Sequence, residues 1–410
     1  MFAIAMNKIK EDYFISYIYL YIFLMPWNFS NGQMGVLSII LLIWWLIIGK
    51  KREYFSKLKI IFEFKPLLLI ILFFAYSYLS LLWTDNFETA KTALKYYKYY
   101  WIMIPVLFTT LTKEQAKNGL YVFVLSIGGY ALFSILIYLN VLHVFQNNIS
   151  NPRGILSYSI VTIYMAIGTL SSLLISYYSK SNALKTIFLI ITFLSLIGLF
   201  INNGRSGQLS FFITIFFLFI IYRKNILNIK ILITIIILIS TSLYLLNSFN
   251  KIDKFKYGIN ELKEVQNNNF SGSWGGRAYM WFAGIHIVKE NPIFGTGAGD
   301  NIDEFINYTK THPSDSTWLR SFHNQHLDTL TRYGIIGYIL LWSSVFLLLY
   351  YLRDLELFFT IGIVFFSITF FSGIFDILLL MKPYNTIFML IFLLLSIVVY
   401  KNKSINSSSV

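Results

Sequence analysis

The sequence predicts an all-α polytopic membrane protein, and three observations lead there. Hydrophobic residues make up 57% of the 410 and charged residues only 13%, against about 25% charged in an average soluble domain. The mean hydropathy is +0.64. Apolar runs of roughly 18 residues or more recur along the chain, each long enough to cross the hydrocarbon core as a helix.

These runs predict twelve spans, at 12–28, 35–49, 66–83, 100–112, 118–141, 155–178, 186–202, 207–222, 227–247, 333–352, 355–380 and 384–400. Lys8 and Lys10 precede the first, and no small-residue cleavage site follows it, so it reads as an uncleaved span rather than a signal peptide. The fourth is short, and 87–99 before it reads as an interfacial helix. Aromatics reach 19%. Stretches such as Lys95-Tyr96-Tyr97-Lys98-Tyr99-Tyr100-Trp101 suit a membrane–water boundary, where a ring is half wet and half apolar. Four regions follow: residues 1–247 with spans one to nine, a loop domain at 248–332, residues 333–400 with spans ten to twelve, and a polar tail at 401–410 that reads as disordered. No internal repeat is visible.

The net charge of +14 could suit nucleic acid, but its distribution fits membrane topology instead. With the N-terminus in the cytoplasm, inside segments carry 18 basic residues and short outside segments carry 6. That asymmetry predicts cytoplasmic N- and C-termini. The absence of cysteine excludes disulfides, thiolate metal sites and a cysteine nucleophile. The 248–332 loop falls outside, with 9 basic residues facing 9 acidic ones, Asp315 and Asp328 among them. Loops of that length are uncommon unless functional. Within it, 276–289 reads as a helix lying on the membrane, ended by Asn291-Pro292. The glycine-rich run "FGTGAGD" (294–300) follows.

Four features could carry chemistry. The first is "SFHNQHLDTLTRYGIIG", 321–337, which holds two of the five histidines. On one helix, 326, 330, 334 and 337 share a stripe with His323 near it, and Gly334 and Gly337 would let a neighbour approach closely. His323 then reads as a base or hydroxyl-orienting group, or the cluster is an ordinary interfacial one. Only Asp328 stands near enough to suggest a metal ligand set, so none is expected. The second is "NNGRSG", 202–207. Arg205 sits on the side where basic residues are depleted; Gly204 and Gly207 would let the backbone approach a ligand, and the next helix start would add amide donors for an anion. Arg205 either binds phosphate in bidentate fashion or snorkels. The third is "SGSWGGRAYMW", 271–281, where Arg277 follows the same phosphate logic; Arg153 in "NPRG" is a looser candidate. Lys95 and Lys98 read as aromatic-belt anchors. The fourth is Asp376 in "FSGIFDILLL", near the outer end of the eleventh span. It is a functional candidate by its location, or a partner for Lys382 or an arginine.

His323-Asn324, nine residues, then Gly334-Ile335-Ile336-Gly337 resembles the H-[NSQ]-x9-G-x-x-G signature of the WaaL-type O-antigen ligases. The wider resemblance is to the family those ligases share with Wzy-type O-antigen polymerases and protein O-oligosaccharyltransferases. "NPIFGTGAGD" is similar to that family's stretch before the histidine, and the architecture resembles the ligases over nearly the whole chain. The resemblance implies a GT-C-like, metal-independent glycosyltransferase without cofactor, in the bacterial inner membrane. It would move a glycan from undecaprenyl pyrophosphate to a sugar hydroxyl of lipid A–core at the periplasmic face. It implies His323 as the essential histidine, and Arg205 and Arg277 as holders of the pyrophosphate. His326 lies outside the signature. Asn324, His326, Gly334, Gly337, Arg153 and Asp376 are supporting candidates.

Two relatives differ from the ligase only in acceptor: the polymerase adds to another lipid-linked repeat, the protein-glycosylating enzyme to serine. A polysaccharide flippase or transporter also suits twelve spans. Transporters often show repeated halves and midplane sites, whereas here the polar candidates gather at one surface. A lipid-phosphate-sugar glycosyltransferase would be expected to carry acids in its first outside loop. "NFSNGQMG" has none.

Overall fold

The computed structural model describes residues 13–29, 32–95, 97–144, 147, 149–222, 229–314 and 321–407. Lys8, Lys10, Arg223, Lys224 and Asp315 lie outside them. No strand occurs among the described residues. The helices are α1 (Tyr13–Leu24), α2 (Gln33–Gly49), α3 (Ile60–Glu63), α4 (Lys65–Leu79), α5 (Phe87–Leu94), α6 (Lys98–Thr110), α7 (Lys113–Tyr138), α8 (Tyr158–Tyr178) and α9 (Asn182–Ile201). They continue as α10 (Arg205–Ile221), α11 (Ile229–Ser248), α12 (Lys251–Glu264), α13 (Gly272–Glu290), α14 (Asn301–Thr311), α15 (Gln325–Leu352), α16 (Glu356–Ser372) and α17 (Tyr384–Ser407).

Six helices are long and apolar enough to cross a membrane unaided: α4 with its extension to Trp83, α7, α8, α9, α15 and α17. Four shorter apolar helices are α1, α2, α10 and α16. A helix occupies each of the twelve apolar segments; by length and composition six of them are fit to cross a membrane, or seven if the bent pair that meets at 248–251 is one span. Helix starts follow local chemistry. Thr112 and Gln115 form a reciprocal capping box on α7, and the Ser157 and Ser181 hydroxyls cap α8 and α9, each taking up an amide that has no partner in the first turn. In α8 and α17, 89% of the apolar window is buried, against 39–56% in the other four. Those two form the centre, and the rest present a face outward. α17 continues to Ser407, so the tail expected at 401–410 begins as helix. The span expected at 355–380 stops at Ser372: Gly373 O accepts from Gln325 N at 2.6 Å, which turns the chain away and leaves Asp376 in an irregular connection.

One end of the bundle gathers the connections the sequence places outside. Asn203 Nδ2 donates to Ser150 O, Ser372 Oγ to Ser210 Oγ, and Tyr100 OH to Asn385 O. Asp300 accepts from the amides of Asp85 and Asn86. The 248–332 region at this end is built from α12, α13 and α14, and α15 starts within it, at Gln325.

The expected stripe from His326 to Gly337 does not form, because Gly334 breaks α15 with φ 60° and ψ −165°. A break costs the helix its bonds from Ile335 N to Thr331 O and from Ile336 N to Arg332 O. The glycine-rich segment replaces both. Ile335 N donates to Pro292 O and Ile336 N to Ile293 O, while Thr331 O and Arg332 O accept from Thr296 N and Gly297 N. The backbones meet so closely that a Cβ on Gly334 would collide with Ile293 O, and one on Gly295 (φ 72°) with Arg332. Gly334 therefore meets a loop backbone, not a neighbouring helix face, and Gly337 faces Tyr333 and Tyr76. Arg332 closes the seam, pairing with buried Asp328 at 3.1 Å and donating to Ala298 O.

Gly334→Ala should cost roughly 2–3 kcal/mol, from a left-handed backbone and a steric clash together. Thermal unfolding in detergent checks it, with Gly32→Ala as control because nothing lies within 4 Å of a Cβ there. Equal melting temperatures for the two variants would refute the seam.

Candidate functional site

A cavity of about 600 Å³ opens at the gathered end. Its wall comes from the starts of α8 and α10, the turn before α10, α12, the first turns of α13, and the connection after α16. Arg205 is the first residue of α10 and Arg277 lies one turn into α13. Two segments 72 positions apart in sequence thus bring their guanidinium groups to one place. Arg277 Nη1 donates to Ser273 Oγ at 2.7 Å, and Arg205 Nη2 reaches the same oxygen at 3.4 Å. Arg205 also stacks over Trp274, 5.3 Å from the ring centroid. Arg277 Nε donates to Phe375 O, tying the arginine pair to the connection after α16.

The α10 start suits an anion for further reasons. Its N-cap is Gly204, which supplies no side-chain cap, so first-turn amides remain available beside two cations. Ser206 Oγ is buried, meets no strict hydrogen-bond geometry among the described residues, and lies within reach of the Asp376 carboxyl. Gly204 and Gly207 do not approach a ligand as expected: a Cβ on either would strike Thr162, so they let α10 lie against α8.

Sequence reasoning missed three residues here. Ser273 and Trp274 stand inside the "SGSWGG" run quoted above, yet nothing in the spacing says that they would bridge and stack the arginines. Lys251 resembles any loop lysine in sequence. In the fold it is only 5% exposed, and its Nζ donates to Ile201 O and to Asn203 Oδ1 at 2.7 Å. It closes the C-terminal end of α9 and fixes a cavity-lining side chain.

His323 lies next to this cavity, before α15 rather than on it. Its backbone is left-handed, φ 43°, which is uncommon for a residue with a Cβ and costs roughly 1 kcal/mol. Its ring has no hydrogen-bond partner among the described residues. Burial, and then the charge of Arg277, push its pKa below the ordinary histidine value, so the ring is unprotonated near pH 7. Asp376 is buried in the connection after α16, with Oδ2 unpaired among the described residues. Arg277, Ser206 and Ser159 lie close to it. Lys382 sits instead beside Lys95 and Lys98.

The remaining candidates have structural partners. Asn324 caps α15, its Oδ1 accepting from the amides of His326 and Leu327. Both ring nitrogens of His326 are engaged, Nε2 with Phe370 O at 3.0 Å and Nδ1 with Tyr338 OH at 3.1 Å, and the ring packs on Phe370 and Trp342. The Arg153 guanidinium turns to Leu156 O and does not line the cavity. No three His, Asp or Glu side chains among the described residues are grouped as metal ligands would be.

Residues 190–342 match the family model described as O-Antigen ligase. That stretch holds Arg205, Ser273, Arg277, His323 and the seam between 292–297 and α15, and leaves out Arg153 and Asp376. An uncharacterized protein of Haemophilus influenzae is 28% identical over 178 residues, which cover 40% of this chain and 43% of that protein. The matched part therefore spans less than half of the relative's length. The chain is a helical membrane protein, and its residues 190–342 are similar to the O-antigen ligase family.

Proposed function

We propose that the protein transfers a glycan from undecaprenyl pyrophosphate to a sugar hydroxyl of lipid A–core. In this reading it crosses the bacterial inner membrane twelve times, with both termini in the cytoplasm and the cavity facing the periplasm. One observation carries the reading: two arginines from distant segments converge on Ser273 at an uncapped helix start, with a neutral histidine next to one of them.

The chemistry follows from those groups. Arg205, Arg277 and the α10 amides hold the pyrophosphate and stabilise the charge it gains on leaving. The acceptor oxygen bonds to the anomeric carbon as the bond from that carbon to the pyrophosphate oxygen breaks, and the electron pair departs with the pyrophosphate. His323 accepts the hydroxyl proton, which its depressed pKa permits at neutral pH. Pyrophosphate is a good leaving group, so no paired carboxylic acid is required.

Reconstitution with defined lipid-linked donor and lipid A–core acceptor tests this. Label should move to lipid A–core; label found only on a second lipid-linked repeat, or only on protein serine, would replace the ligase reading by the polymerase or protein-glycosylating one. Arg205→Ala and Arg277→Ala should each lower kcat about 100-fold or more, and His323→Ala by roughly 100- to 10,000-fold. Full activity in all three would remove the site assignment.

The pH profile gives an independent reading. A base must be unprotonated, so kcat/KM should rise with pH through a midpoint below the ordinary histidine value of 6.5 and then stay flat. A midpoint above that value, or no acid limb, would speak against His323. His326→Phe should lower the melting temperature while leaving kcat per folded molecule within about threefold of the parent, since its ring serves packing and two structural hydrogen bonds. A loss as deep as that of His323→Ala would move the base to His326.

A further inference from the structure

A pyrophosphate fills only part of the arginine cavity. Its volume of about 600 Å³ lies within the roughly 300–1,000 Å³ that holds a drug-sized organic ligand. Arg205, Arg277 and Ser273 account for the anion-binding part of the wall. Another part is α12, which contributes Asp253 and Tyr257. The packing of α12 fixes where those two stand. At its first residue, Lys251 donates to Ile201 O and Asn203 Oδ1. Farther along, Gly258 brings the helix so near the arginine that a Cβ would come within 3.0 Å of Arg205 Nη1 and of the Trp274 ring. Asp253 and Tyr257 lie between these two anchors, four positions apart and so on one face of the helix.

Asp253 is out of place in a site built for an anion alone, because a carboxylate repels phosphate. Among the described residues it pairs with Lys256 of its own helix, at 3.6 Å with both side chains largely exposed. Such a pair contributes little. A first-turn carboxylate complements the helix dipole, but any position in that turn would do so, and Asp253 takes one that lines the cavity. Tyr257 is 65% exposed, and its phenol ring is open to the same space. An open aromatic face and a carboxylate one turn apart suit a neutral ring rich in hydroxyls. The C–H face of a sugar covers the phenol, and the carboxylate accepts charge-assisted hydrogen bonds from two hydroxyls. A polyprenyl chain would leave Asp253 desolvated and unpaired.

We propose that Asp253 and Tyr257 form the subsite for the first sugar of the donor, the one joined to the pyrophosphate. The proposal rests on the reading of Arg205 and Arg277 as pyrophosphate holders. A sugar one bond away from a phosphate on Arg205 has to lie beside that arginine, where Gly258 seats this stretch of α12. His323, placed at the acceptor hydroxyl, stands outside the cavity lining, so this wall meets the donor and not the acceptor.

Binding to the purified full chain, read by native mass spectrometry with no acceptor present, tests it. The probes are bare undecaprenyl pyrophosphate and the same lipid carrying glucose, galactose, N-acetylglucosamine or N-acetylgalactosamine. The parent should bind at least one sugar-bearing lipid about tenfold or more tightly than the bare one. Asp253→Asn/Tyr257→Leu should lose that preference while binding the bare lipid within about twofold of the parent, since both side chains are exposed. The Arg205→Ala/Arg277→Ala variant separates the two readings. It should weaken every lipid alike; parental affinity for the bare lipid would sink the pyrophosphate assignment, while the sugar preference would still report on α12. The subsite is overturned if the parent prefers no sugar-bearing lipid or if the α12 variant keeps the preference. Equal weakening of bare and sugar-bearing lipids in that variant also overturns it, by showing a merely structural role.

Discussion

Four backbone hydrogen bonds join residues 292–297 to the broken turn of α15, and much of the outer architecture depends on them. A helix interrupted at membrane depth exposes donors and acceptors that lipid cannot satisfy. The glycine-rich run supplies the replacements, and only residues without side chains can come that near at Gly295 and Gly334. Once seated, the run ends in Asp300, which takes the amides of Asp85 and Asn86, and Asn301, which reaches Asp328 and Thr331. The buried Asp328–Arg332 pair then has further partners, Asn301 Nδ2 on the carboxylate and Ala298 O on the guanidinium. An ion pair taken from water is tolerated under that condition. The start of α15 is fixed as a result, and with it the turn that carries His323.

The arginine cavity rests on a different balance. Two like charges share a neutral hydroxyl, and one of them lies over an indole face. That arrangement holds the guanidinium groups in place. Carboxylates stand around the pair: Glu261 accepts from Trp274 N and acts on Arg205, Asp253 lines the cavity wall, and Asp376 lies close to Arg277. A multiply charged anion would meet fixed guanidinium donors there. Arg277 also acts on His323 and Asp376, so one guanidinium influences every titratable candidate around it.

The sequence was most informative where one physical rule governs one residue. Apolar runs located the helices because burial in lipid demands them. Arg205 stood out because cations are scarce in the short outside connections of so apolar a chain, and Arg277 and His323 because of the motifs around them. It was least informative where the outcome depends on two distant segments meeting. A 3.6-residue period assumes an unbroken helix, so it placed His326, Gly334 and Gly337 on a stripe that the left-handed turn at Gly334 removes. Arg153 carries the same charge as Arg205, but its guanidinium turns to its own Leu156 carbonyl. Ser273, Trp274 and Lys251 gave no sign in advance, since an ordinary serine, tryptophan or lysine acquires its task from whatever the fold sets opposite it.

The seam also bears on how the protein is made. A spanning helix ordinarily completes its own hydrogen bonds and can leave the insertion machinery as a finished unit. The upper turns of α15 cannot, because their partners lie about forty residues upstream. Those residues emerge from the ribosome first and must be at hand when α15 takes its place. The last third of the chain is therefore assembled by a meeting of distant segments, and the order of synthesis delivers them in the sequence that this joint requires.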